Sequence, residues 1–318
     1  MLRVTVALAG VLVVFAARAE DNYPSRPVEI VVPFAPGGGT DIIARIVADR
    51  VGEKLGQRFV VINRPGASTN IGTAAVVNAA PDGYTLLLTS ISLAANPALY
   101  KKLSFAPLTD LAPISLIANS PSVLVVSPAL PVTSVAELIA YLKAHPGELN
   151  YASYGAGSGP HLAAELFQDL TGTRMVHVPY GGGSPAVLAL LRGDVQVLFA
   201  GSLAVLPQIR AGSLKPLGVA ADRRTALLPD VPTFVEQGIG YRTGTWFGLL
   251  APAKTPPAII ETLNREVMDA LRNESVRARL IEQGADVIGN SPRAFAQFLK
   301  DETERLSIVI RRANIQLD

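Results

Sequence analysis

The chain has three histidines and no cysteine, so its supply of nucleophiles and bases is small. Two serines stand among glycines of the kind that surround a reactive hydroxyl. They are Ser158 in "SYGAGSGPH", three residues before His161, and Ser184 in "PYGGGSP". A strained nucleophile turn needs G-x-S-x-G, because backbone passes close on both sides of the serine. Ser158 has Ala156 and Pro160 at the outer positions, and Ser184 has Gly182 but Ala186. An exported serine hydrolase acting on small esters, with Ser158 or Ser184 served by His161, is therefore a secondary reading. His161 falls in the first turn of a helix, where it can contact a ligand or pack on Glu165. His177 lies inside a strand as a core residue, and His145 closes a helix. There is no H-E-x-x-H and no cluster of His, Asp and Glu, so no metal is expected.

Phosphate chemistry is excluded by spacing. "PFAPGGGTD", Pro33 to Asp41, has no G-x-x-x-x-G-K-[ST], and neither Gly37-Gly38-Gly39 nor Gly155-Ala156-Gly157 completes G-x-G-x-x-G. No nucleotide or other cofactor is expected. What remains is a set of four turns rich in glycine and serine, "PFAPGGGTD", "SYGAGSGPH", "PYGGGSP" and "FAGS", each between an apolar run and a helical pattern. A helix start carries unpaired N–H groups and about half a positive charge, so several of them around one gap can hold a carboxylate without arginine or lysine. Thr40, Ser158, Ser184 and Ser202 are placed to cap these helices, with Pro185 at a first helical position. Asp41 reads as an acid complementing its helix dipole. Tyr154 and Tyr180 carry hydroxyls beside the turns and are expected to face the ligand. Phe34 and Trp246 read first as core residues whose rings can also line a cleft.

The elements that position these turns alternate. "VEIVVPF" and "FVVIN" are short β-branched runs separated by Ile42, Ile43, Ile46, Val47 and Leu55 at helical spacing, and "YTLLLTS" is a third strand. After the linker-like "SFAPLTDLAP" comes the strand "SVLVVSP", then a helix opened by the capping box Ser134 and Glu137. Strands "LNYASY", "MVHVPY", "VQVLFA" and "LKPLGVA" alternate with helices up to about residue 220, and "TWFGLLAP" precedes a helical C-terminus. This pattern predicts an α/β fold of two doubly wound, mostly parallel sheets with flanking helices. Domain 1 is expected to comprise 20–121 plus 245–318 and domain 2 to comprise 122–244. The last helices return to the first block, so the chain crosses twice, as in a hinged clamshell.

The first nineteen residues read as a signal peptide: Arg3, then the apolar stretch Val4 to Phe15, then "ARA" with cleavage after Ala19. Export to the periplasm is expected. Removing them takes Arg3 and Arg18 from 28 Lys+Arg, leaving 28 − 2 = 26 against 26 Asp+Glu. A mature chain of zero net charge argues against a nucleic-acid partner.

Six segments carry a resemblance: "YPSRPVEIVVPFAPGGGTDIIARIVADRV", "INRPGASTNIGTAAVVNAAPDGYTLLLTS", "NYASYGAGSGPHLAAELF", "HVPYGGGSPAV", "LPDVPTFVEQG" and "WFGLLAPAKTP". In this order they resemble the substrate-binding proteins of tripartite tricarboxylate transporters, the Bug receptors, over the whole of Tyr23 to Asp318. The resemblance implies a two-domain periplasmic binding protein of the type II, Venus-flytrap class, which is not an enzyme and works as a monomer. It implies ligand contacts at Phe34, Gly38, Gly39 and Thr40, with Ser90 a weaker candidate. In the second domain it implies Ser153, Gly155, Ser158, His161, Tyr180, Gly181, Ala200 and Gly201, to which the reading of the turns adds Tyr154. Many relatives carry lysine where this chain has Gly181, and an acid or amide after the strand that here ends in Ala200-Gly201-Ser202. Ligand identity is left open by both departures. The function expected is capture of a small carboxylate and delivery to membrane permease subunits. Presentation of the loaded form to a sensor kinase is a further alternative.

Overall fold

The computed structural model describes residues 23–225 and 227–316; the expected signal segment and its cleavage point lie outside them. One lobe holds the parallel strands β1 (Val28–Val32), β2 (Phe59–Asn63) and β3 (Thr85–Ser90) in the order β2-β1-β3. Antiparallel β9 (Gly244–Pro252) adds to β3, the first part of β4 (Leu111–Val126) adds to β9, and the short β10 (Asp286–Val287) closes on β4. The other lobe holds β5 (Asn150–Ser153) parallel to both β6 (Val176–Pro179) and β7 (Val197–Gly201). There the second part of β4 lies antiparallel between β7 and β8 (Lys215–Val219).

β4 thus belongs to both lobes. Residues 111–121 pair with β9 and 122–126 with β7, while the returning chain bonds back at the Thr243 carbonyl, which accepts the Ser122 amide at 3.0 Å. The sequence places a linker-like passage over residues 104–113, with Pro107 and Pro113, so it runs into the start of this strand, and resumes a strand only at Ser122. Pro113 falls at a slip of the β9 register, between Pro113 and Ser115, and a second slip follows between Leu116 and Ala118, whereas Pro121 is paired in register with Gly244 at the end of the ladder. A proline without an N–H is tolerated where the ladder is already interrupted.

Helices cover both faces of each sheet. α1 (Gly39–Leu55), α9 (Pro257–Arg272) and α10 (Glu274–Glu282) bury Ile43, Ile46, Val47, Leu263, Val267 and Leu280 against one face of the first lobe. The other face is covered by α2 (Asn70–Val77), α3 (Ser92–Leu99), the short α4 (Pro107–Asp110) and the long α11 (Pro292–Arg312), with Val76, Leu93, Leu99, Phe295 and Leu306 inside. The C-terminal helices therefore return to the first lobe, as the missing sheet partner required. In the second lobe α5 (Val135–Ala144) and α6 (Gly159–Thr171) cover one face, and α7 (Gly183–Arg192) and α8 (Ser202–Arg210) the other. Each fully buried Val, Leu or Ile contributes roughly 1.5–3 kcal/mol. The Ser134 cap on α5 forms as expected, its hydroxyl accepting the Glu137 amide at 3.1 Å. The Glu137 carboxylate accepts the Thr133 amide at 2.6 Å.

Candidate functional site

The carboxyl ends of β1, β3, β5, β6 and β7 open on one cavity of about 950 Å³ between the lobes, the place where ligands sit in open α/β sheets. Its wall is made by the first turns of α1, α3, α6, α7 and α8, by Ser120 and Ser122 on β4, and by Thr245 and Phe247 on β9. Among the described residues that line it there is no Asp, Glu, Lys, Arg or His. Polarity comes from main-chain amides, from hydroxyls such as Thr40, Ser90, Ser158 and Ser184, and from Gln208 and Gln283.

None of the five helix starts is capped by a side chain. This corrects the capping expected of Thr40, Ser158, Ser184 and Ser202. The N-cap positions of α1, α7 and α8 fall on Gly38, Gly182 and Gly201, so Thr40, Ser184 and Ser202 are already inside their helices and Pro185 is third in α7 rather than first. Gly182 sits at φ 143°, a backbone setting that a side chain would strain. Ser158 does occupy the α6 N-cap, but its hydroxyl donates to the Gly155 carbonyl at 2.7 Å instead of accepting an amide. The first N–H groups of an uncapped helix have no intrahelical partner, and here they belong to residues on the cavity wall. Two side-chain atoms of the wall, Tyr154 Oη and Gln208 Oε1, are buried and make no hydrogen bond. Burial alone raises the Tyr154 phenol above its ordinary pKa, so it stays a neutral donor.

Close backbone approach shapes the floor. A Cβ on Gly159 would stand 2.9 Å from Thr245 Oγ1, and one on Gly201 would stand 3.2 Å from Ser120 Oγ. Asp41 does not face the ligand space. Burial opposes its ionisation, but hydrogen bonds from Arg45, from the Gly37 amide at 2.9 Å and from Asn63 outweigh this and hold its pKa below the ordinary value. It pins the glycine turn and carries its own countercharge.

A model of the tripartite tricarboxylate transporter family receptor matches residues 43–315. The chain belongs to this family. Protein BugT of Bordetella pertussis is 40% identical over 315 residues, covering 98% of this chain and 96% of its own. An R. palustris protein solved with adipate has a TM-score of 0.85 at 38% identity, with 93% of this chain and 100% of that one covered. MatC from Rhodopseudomonas palustris, solved with bound malate, has a TM-score of 0.81 at 35% identity, with 91% and 100% covered. The architecture of this solute-binding receptor is the two-lobed α/β form of periplasmic binding proteins, and a periplasmic place of work comes with the family.

In the receptor, Phe34, Gly38, Gly39, Thr40, Ser90, Tyr154, Ser158, Gly181 and Gly201 all line the cavity. Phe34 is half-buried and also packs on the first core, while Trp246 is core alone, edge-on to Phe295 and Phe298. Ser153, Gly155, His161, Tyr180 and Ala200 lie behind the wall instead. Ser153 and Ala200 are completely buried. The Ser153 hydroxyl lies 2.6 Å from His177 Nε2 and accepts the Gly155 amide at 3.1 Å, so it is spent on the turn itself. The Tyr180 ring packs on the second lobe's core. His161 neither reaches the cavity nor bonds to Glu165; its Nδ1 accepts the Gly157 amide at 2.9 Å and its ring stacks on His177 with centroids 3.9 Å apart. Glu165 takes the Tyr151 hydroxyl instead, at 2.5 Å. Ser158 and His161 are thus each bonded to backbone and not to one another.

The stacked imidazoles have a pH signature. Burial first, and the neighbouring His177 second, lower the His161 pKa from 6.5 to about 3, and burial lowers that of His177. Unfolded chain takes up protons below pH 6.5 that the folded chain refuses, so the contribution is complete above 6.5 and is lost as pH falls towards the folded value. Between pH 6.5 and 5, before the carboxylates titrate, each such histidine removes at most about 1.4 kcal/mol per pH unit. The melting temperature is expected to fall through this window, and His161→Gln, which keeps an acceptor for Gly157, makes the fall shallower. A profile unchanged by the substitution contradicts the assignment.

The sequence reading missed Ser92, Ser120, Ser122, Gln208, Thr245, Phe247 and Gln283 on the cavity wall. Ser120 and Ser122 do repeat at the strand period of two, a signal obscured by the proline between them.

Proposed function

We propose that this receptor captures a small carboxylate between its lobes, closes about the β4 and β9 crossings, and hands the ligand to membrane permease subunits without chemical turnover. The lobes are taken as 20–121 plus 245–318 and 122–244, acting in a monomer exported with cleavage after Ala19. Phe34, Gly38, Gly39, Thr40, Ser90, Tyr154, Ser158, Gly181 and Gly201 are assigned as the contacts. One observation carries the reading. An interlobe cavity free of charged side chains among its described residues is ringed by uncapped helix starts, a setting suited to an anion and unsuited to a cation. Adipate and malate in the two solved relatives support it. Because contacts come from both lobes, the ligand binds the closed state better and shifts the population towards it.

A thermal-shift and calorimetric panel of mono-, di- and tricarboxylates tests this. An acid present at 100 times its Kd is expected to stabilise the protein by about 2.7 kcal/mol. Stabilisation by phosphorylated compounds or cations alone contradicts the reading.

A further inference from the structure

The α7 helix does more than offer its N-terminus. Ser184, Val187, Leu188 and Leu191 all line the cavity, and their spacing of three, four and seven places them in one stripe along the helix. Leu188 is 45% and Leu191 37% exposed; Val187, at the edge of the stripe, is buried and shared with the core, as are Ala186, Ala189 and Leu190 on the other side of the same helix. The stripe therefore passes from a hydroxyl beside unpaired amides to bare leucine over about 10 Å.

Resting on the carboxylate reading above, we propose that the ligand is an amphiphilic monocarboxylic acid whose head sits at the helix starts and whose uncharged apolar body lies along the Val187, Leu188 and Leu191 face of α7. Burying that body removes both the leucines and the chain from water. A second carboxylate at the far end would lie against leucines, near the negative end of the α7 dipole, with no cationic side chain among the described lining residues to meet it.

The test is calorimetric titration of the full mature receptor with acetate, butyrate, hexanoate, octanoate, octanedioate and octanamide, repeated on Leu188→Ser/Leu191→Ser. Both leucines are exposed, so the double variant is expected to fold, and its melting temperature checks that. Affinity is expected to rise roughly fourfold per methylene beyond butyrate. Octanedioate is expected to bind at least tenfold more weakly than octanoate, and the double variant to flatten the chain-length slope to below twofold per methylene. Acids that bind with no chain-length slope, or octanedioate tighter than octanoate, overturn the inference while leaving the carboxylate reading standing. A double variant that keeps the slope, or that weakens every acid by one common factor because the leucines only close on the other lobe, overturns it as well. Octanamide binding as tightly as octanoate overturns the carboxylate reading, and this inference with it.

Discussion

Replacing Gly38 by aspartate is expected to stabilise the free protein slightly and to weaken acid binding by roughly 10- to 150-fold. Gly38 is the N-cap of α1 at φ −80° and ψ 165°, the extended setting of a capping residue. The nearest atom to a Cβ built there is the Ala35 carbonyl oxygen at 3.6 Å, so a side chain fits. An aspartate carboxylate would accept the amides two and three positions on, worth a few tenths of a kcal/mol over glycine. It would thereby occupy the donors assigned to the ligand, and a hydrogen bond to a charged group is worth about 1.5–3 kcal/mol. Gly38→Asn fills the same amides without charge and is expected to weaken binding less. Gly38→Ala leaves the amides open and is expected to bind almost as wild type. Calorimetry on the three variants checks the order; an alanine variant as weak as the aspartate one would mean that shape, not occupation of the amides, matters there.

The second large effect is structural. Phe295 on α11 is completely buried, edge-on to Trp246 at 6.0 Å between ring centroids and against Phe298 at 6.4 Å. With Leu299, Leu306 and Ile310 it holds the C-terminal helix on the first lobe, and on β9 it abuts Gly248, where an added Cβ would collide with Cζ at the edge of the Phe295 ring. Phe295→Ala is expected to cost about 3–5 kcal/mol through lost burial and the cavity left behind. Gly248→Ala alone overpacks the same contact and is expected to cost about 1–3 kcal/mol. In a Phe295→Ala background the space is open, so the added methyl should cost at least about 1 kcal/mol less than in wild type. Denaturant midpoints of the four proteins complete the cycle. Additive costs would show that Gly248 and Phe295 do not share the contact.

Why some of this was legible in the sequence and some was not follows from the range of the forces involved. The path from β1 through the glycine turn into α1 is a local pattern: β-branched residues, three glycines, then Ile43, Ile46 and Val47 at helical spacing. The return of the C-terminal helices followed from their lacking a sheet. By contrast, the first half of β4 is a strand because β9 lies beside it, and pairing across more than a hundred residues left only Pro113 and Pro121 to be seen locally. The cavity floor at Ser120, Ser122 and Thr245 comes from that same nonlocal pairing. Hydroxyl residues at helix starts look like caps, yet here glycine takes the N-cap of α1, α7 and α8. His161 shows the same limit. Its partners are the Gly157 amide and the face of His177, and the latter comes from a neighbouring strand.

The central claim is that main-chain amides at helix starts, not cationic side chains, neutralise the ligand. A crystal structure of the receptor with its tightest acid tests it most directly. The expected result is carboxylate oxygens about 2.7–2.9 Å from amide nitrogens of the α1 first turn and of at least one second-lobe helix start. A carboxylate held instead by an arginine or lysine side chain, or bound away from the interlobe cavity, would contradict it.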